Sequence, residues 1–117
     1  MNIYGKDYNF LLTVGAASEI SDLCPDGDME RLPEVFSGSF AKTARTAAKL
    51  MVALSKGYEE AQSFAAPGYE MHPLTEALVM SLPQDVFMAL QSEAVDAFTA
   101  SMKTEVEVDA KKNEAAK

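Results

Sequence analysis

The stretch from Phe40 to Phe64 constrains the fold more than any other part of the chain. Ser37-Gly38-Ser39 precedes it, with Ser39 placed to cap a helix. Ala44, Ala47, Ala48, Met51, Val52, Leu54, Ser55 and Tyr58 then recur at helical spacing. From Leu50 to Leu54 the pattern is apolar nearly all round. That predicts a helix running through the centre of a domain, with the rest of the chain wrapped about it. The small side chains at Ala44, Ala47 and Ala48 let neighbours approach closely. Gly57 weakens the pattern, since glycine costs ~1 kcal/mol against alanine inside a helix. Lys42, Arg45 and Lys49 fall together and read as a solvated face.

Around that helix the chain predicts smaller elements. Ile3-Tyr4 and Tyr8 to Leu12 read as two strands of a hairpin, with Gly5-Lys6-Asp7 as the turn. Tyr8, Phe10 and Leu12 share one face by the two-residue period, and a lone hairpin is marginal, so that face should pack on helices. Val14, Ala17, Ile20 and Cys24 predict a short helix over about Val14 to Leu23, stopped by Pro25. Asp26-Gly27-Asp28 reads as a turn, and Met29, Leu32, Val35 and Phe36 as a helix of about two turns. Pro73 opens another short helix through Leu74, Leu78 and Met80. Ser81-Leu82-Pro83-Gln84 reads as a capping box opening a last helix to about Met102, with a stripe of Phe87, Leu90, Ala94 and Phe98 widened by Val86 and Val95. The expected fold class is therefore α+β, mostly α: an N-terminal β-hairpin packed on a bundle of about four to five helices. Residues 1–102 form the single domain, and 103–117 read as a polar, disordered tail.

Composition narrows the function. At 117 residues the chain is one domain's length and large enough for a single core. Eighteen acidic residues against ten basic ones give a net charge of −8. Such a chain repels nucleic-acid phosphates and anionic membranes unless its cations cluster, and they do not. Lys103, Lys111, Lys112 and Lys117 balance Glu105, Glu107, Asp109 and Glu114, so the body before the tail carries the whole negative charge. The longest apolar run, Leu50 to Leu54, is far short of the ~20 residues of a membrane helix, and no signal peptide is visible. A cytoplasmic protein is expected.

Reactive chemistry is sparse. One cysteine, Cys24, and one histidine, His72, cannot supply a structural zinc site, so no metal is expected. Cys24 reads as a small buried residue and His72 as a loop histidine. Arg31 occupies the glycine position of a calcium loop begun at Asp26. Phosphate-binding glycine loops and a nucleophile elbow are missing, so no cofactor and no catalytic residue are expected. A hydrolase built on two converging carboxylates is the weakest of the function classes. Seven methionines point instead to an adaptable contact surface. Phe64, Tyr69 and Met71, in and beside the loop Ala65 to Pro73, are the candidate partner-binding residues, and Met102 joins them.

The layout resembles the tail assembly chaperones of long-tailed bacteriophages, in particular those of Gram-positive hosts. The resemblance rests on an I-x-G-K-x-Y-x-F hairpin, here Ile3, Gly5, Lys6, Tyr8 and Phe10, and on the helix that follows at once. An alanine-rich central helix from Ala44 to Tyr58, a short helix, a proline-containing helix start at Ser81 to Gln84 and a polar tail complete it. The stretch from Cys24 to Ser39 and the loop from Phe64 to Pro73 depart from it. The resemblance implies a non-enzymatic protein of the host cytoplasm. Its partners would be the tape measure protein and tail tube subunits, self-association is possible, and the mature virion would lack it. It also implies a longer frameshifted form in many members, with Lys111-Lys112-Asn113 as the place to look. A small cytoplasmic adaptor or regulator binding a single host protein is the alternative.

Overall fold

The computed structural model describes the backbone of residues 1–115 and the side chains of residues 1–102. The fold is α+β and mostly α. A small antiparallel hairpin, β1 (Asn2–Ile3) and β2 (Lys6–Asp7), leads into α1 (Val14–Leu23). Two 3-10 segments follow, Pro25–Gly27 and Met29–Phe36. Then come α2 (Phe40–Ala65), α3 (Glu76–Met80) and α4 (Gln84–Ala115). Helix α2 is the axis: α1, α3, α4 and the second 3-10 segment all pack on it. Its N-cap and span follow the sequence expectation, with Ser39 Oγ accepting the Lys42 N–H at 3.3 Å.

The hairpin is shorter than its sequence predicts, and its turn lies one residue earlier. Asn2 pairs with Asp7 and Ile3 with Lys6, so Tyr4-Gly5 forms the turn. Both turn residues have positive φ, 50° and 83°, as a two-residue turn of matching twist requires. Tyr8 continues the pairing by exchanging two backbone hydrogen bonds with Met1, at 2.9 and 2.8 Å, and residues 9–13 follow outside any strand. The segment keeps the expected alternation: Tyr8 is buried, Phe10 and Leu12 pack against the core, and Leu11 faces out.

Gly57 explains how this segment reaches the axis. The Leu11 N–H donates to the Leu54 carbonyl at 3.1 Å. A Cβ at Gly57 would lie 2.5 Å from the Leu11 carbonyl oxygen and 2.8 Å from Thr13 Oγ1. The residue that weakens the helix pattern is thus the one that lets a second backbone lie on it, and α2 continues unbroken through it. The same approach fixes the rotation of α1. Thr13 Oγ1 caps it by accepting the Ala16 N–H, and Ala16 and Ile20 face α2. Val14 was expected in that stripe but is 91% exposed, because it lies two residues, about 200°, round the helix from Ala16.

Three other expectations change. The helix expected over Met29 to Phe36 is a 3-10 segment, capped by Asp28 and buried only at Leu32. Helix α3 starts at Glu76 under a Thr75 cap rather than at Pro73. Ser81 does not open α4. Its backbone is helical, at φ −84° and ψ −9°, and its hydroxyl donates to the Leu78 carbonyl at 2.6 Å, closing α3. An N-cap needs extended backbone, so the capping box cannot form there. Helix α4 starts on the Phe87 N–H bond to the Pro83 carbonyl. Phe87, Leu90 and Ala94 are buried and Phe98 packs beside them, as the stripe predicts. The α4 backbone is helical past Met102 to Ala115. The helix thus passes its expected end at about Met102, and of the tail expected to be disordered over 103–117 only the last two residues lie wholly outside the described ones.

Candidate functional site: a pinned loop and an open trough

Two surfaces carry the chemistry left over from the core. The first is the loop from Ala66 to Thr75, held down by one carboxylate. Glu59 is only 3% exposed and is the one buried carboxylate among the described residues. Its Oε2 accepts the Tyr69 hydroxyl at 2.7 Å, and its Oε1 accepts the His72 backbone N–H at 2.7 Å. The His72 ring adds a third contact, Nδ1 to Glu59 Oε1 at 3.0 Å, while Nε2 lies 3.0 Å from the Asp7 carbonyl. Nδ1 also lies 3.4 Å from the Glu70 carbonyl oxygen, so both ring nitrogens face oxygen atoms. One turn of α2 away, Ser55 Oγ accepts the Leu74 N–H at 2.8 Å. Hairpin, loop and central helix are joined by these bonds, and a buried polar group left without a partner costs ~1–3 kcal/mol.

The network perturbs Tyr69. Its hydrogen bond to Glu59, then its partial burial and the nearby carboxylate charge, push the phenol up to about 12. Glu59 was not singled out from the sequence, where Glu59-Glu60 looks like surface charge, and Ser55 was read only as part of the helical row. A signal was present: the buried row Ala48, Met51, Ser55, Glu59 runs straight down one face of α2. Cys24 is buried, as its sequence context suggests. Its Sγ lies 3.3 Å from the Ile20 carbonyl, and burial, then the Asp28 charge, raise its thiol pKa.

The second surface is apolar and open. Met29, Leu32 and Phe36 of the second 3-10 segment face Val95, Phe98 and Met102 of α4 across a cavity of about 530 Å³ floored by Leu50. Phe36 and Gln91 also line the next concavity along α4, of about 270 Å³, with Phe40 and Met88. Phe40 and Phe87 in turn line a third, of about 200 Å³, reaching Met80 and Leu82. Neighbouring concavities share lining residues and follow one another along α4, and the row is called the trough below. Val95 was expected to widen the core stripe. It lies on this trough instead, at 39% exposed, because α4 is turned so that Leu90 and Ala94 take the core.

The four residues singled out from the sequence separate between these surfaces. Met102 lines the trough. Tyr69 and Met71 line a polar concavity over the loop with Tyr58, Lys6 and His72, and Tyr69 is tied to Glu59. Phe64 stands on the last turn of α2, 89% exposed, and lines none of these concavities. Among the described residues no group of three or more histidine, cysteine or carboxylate side chains is placed to hold a metal ion. Nor is any helix there long and apolar enough to cross a membrane. Comparison with family models, curated proteins and solved structures finds no match to this chain.

Proposed function

We propose that this protein is a tail assembly chaperone of a long-tailed bacteriophage. It works in the host cytoplasm without catalytic chemistry, covers the tape measure protein, helps bring tail tube subunits to it, and is left out of the finished particle. The trough carries this reading. A chain of net charge −8 leaves a row of three concavities open along its longest helix, the first mostly apolar and the middle one mixed in lining. Such a row suits an apolar helix face that must be shielded for a time and then released. Four of the seven methionines, Met29, Met80, Met88 and Met102, lie along it. Unbranched thioether side chains repack around partners of differing shape. The I-x-G-K-x-Y-x-F hairpin supports the family assignment independently of the trough.

The test is co-expression with the long helical protein encoded beside this one. A chaperone raises that protein's soluble yield and co-purifies with it. If it does neither, the proposal falls.

A further inference from the structure

We infer that the trough takes one amphipathic helix of about five turns whose apolar face is flanked by lysine or arginine. This rests on reading the chain as a protein binder and names the class of partner.

Length comes from the register of α4. Gln84, Met88, Gln91, Val95, Phe98 and Met102 recur every three or four residues and line the three concavities in succession. At 1.5 Å per residue the row is about 27 Å long, the length of a helix of about 18 residues. The row lies beside the core row Phe87, Leu90, Ala94, and it alternates Gln84 and Gln91 with Met88, Val95, Phe98 and Met102, Phe98 also packing against the core. Val95 and Met88 remain 39% and 53% exposed.

Charge decides between occupants. Among the described residues no lysine or arginine lines any of the three concavities, whereas Glu30 does. Asp85 and Asp96, both exposed, are eleven residues apart and fall on one line down α4, about a third of the way round the helix from the row and away from the core stripe. On the opposite wall Arg31 is held between Asp26 at 2.9 Å and Glu34 at 2.7 Å. A second copy of this chain would set one acidic rim against another. A helix with basic flanks meets net negative charge along the 3-10 wall, where Asp26, Glu30 and Glu34 outnumber Arg31.

Three synthetic 20-residue peptides test this by fluorescence anisotropy against the full chain. One has leucine or methionine at helical spacing with lysine and arginine flanks. A second keeps the apolar face with glutamate flanks, and a third keeps the basic composition with the apolar positions scrambled. The basic amphipathic peptide binds about tenfold tighter than the acidic one at low salt, with the gap narrowing as salt rises. The scrambled peptide does not bind. Val95→Asp and Met88→Asp weaken binding about tenfold or more and, both positions being partly exposed, leave the circular dichroism and Tm near wild type. Phe64→Asp and Met71→Asp leave binding unchanged. Equal binding of the acidic and basic peptides overturns the inference. So does loss of binding in the Phe64 or Met71 variant alone, or a stable dimer abolished by Val95→Asp. If the peptides behave as expected while the co-expressed helical protein is not captured, the chaperone reading fails and the trough stands. If that protein is captured by Val95→Asp as well as by wild type, the trough fails and the chaperone reading stands.

Discussion

The loop end of the molecule and the α4 trough are both built from side chains the core did not absorb, and they are finished in opposite ways. At the loop, Glu59 takes three contacts from Tyr69 and His72, and Ser55 takes the Leu74 amide. Its polar groups are satisfied internally, which favours rigidity over binding. The trough shows no comparable network: its first concavity is mostly apolar, and Thr43 and Gln91 add polar groups to the next. Apolar side chains and polar groups in a flexible loop look equally like a contact patch in sequence. Only the partners they find in the fold separate a strut from a binding surface.

The largest effect should come from breaking the loop end. Glu59→Ala leaves the Tyr69 hydroxyl, the His72 amide and the His72 ring without their common acceptor, and should cost ~2–4 kcal/mol in urea unfolding. Met88→Ala and Val95→Ala in the trough should each stay within about 1 kcal/mol of wild type, because both are already partly exposed. Comparable losses at the two ends would abolish the distinction between them.

Next in size is the pair of helical glycines. Gly57→Ala forces a Cβ to 2.5 Å from a backbone oxygen and should destabilise by ~1–3 kcal/mol, despite alanine's better helix propensity. Gly15→Ala meets nothing closer than Thr13 Oγ1 at 3.9 Å and should stabilise by about 0.5–1 kcal/mol. If both change stability in the same direction, the docking of residues 11–13 on α2 is wrong. Ser55→Ala should cost ~1–3 kcal/mol by stranding the Leu74 amide; a neutral result would mean the loop is not held there.

The smallest effect is read by alkaline titration. Tyr69 keeps its proton more firmly in the folded chain, with a phenol near 12 against an ordinary 10.0. The stability this bond contributes is therefore whole below pH 10 and is lost as pH rises toward 12. The ultraviolet difference between wild type and Tyr69→Phe should place this phenol near 12, and Glu59→Gln should bring it back toward 10. A Tyr69 that titrates at 10 in the wild type would show that Glu59 does not hold it.

Much of the frame was legible because it rests on local signals. The central helix announces itself by Ser39 and by the apolar run at Leu50 to Leu54, and α4 by its Phe87, Leu90, Ala94, Phe98 stripe. Glu59 was not legible, since burial of a carboxylate depends on Tyr69 and His72 arriving from ten and thirteen residues away. Ser81-x-x-Gln84 misled because a serine that closes one helix has the same spacing as one that opens the next. The trough was half legible. Met102 was singled out, but Val95 reads as part of the core until the rotation of α4 is known, and Met88 and Gln91 carry no signal of their own.

The methionine methyls test the central claim most directly, because they sample both ends of the molecule at once. With methyl-labelled methionine, titration of the basic amphipathic peptide should shift and broaden Met29, Met80, Met88 and Met102 together. Met51, fully buried on α2, and Met71, on the pinned loop, should stay in place. Shifts centred on Met71 with the four trough methyls unmoved would contradict the account.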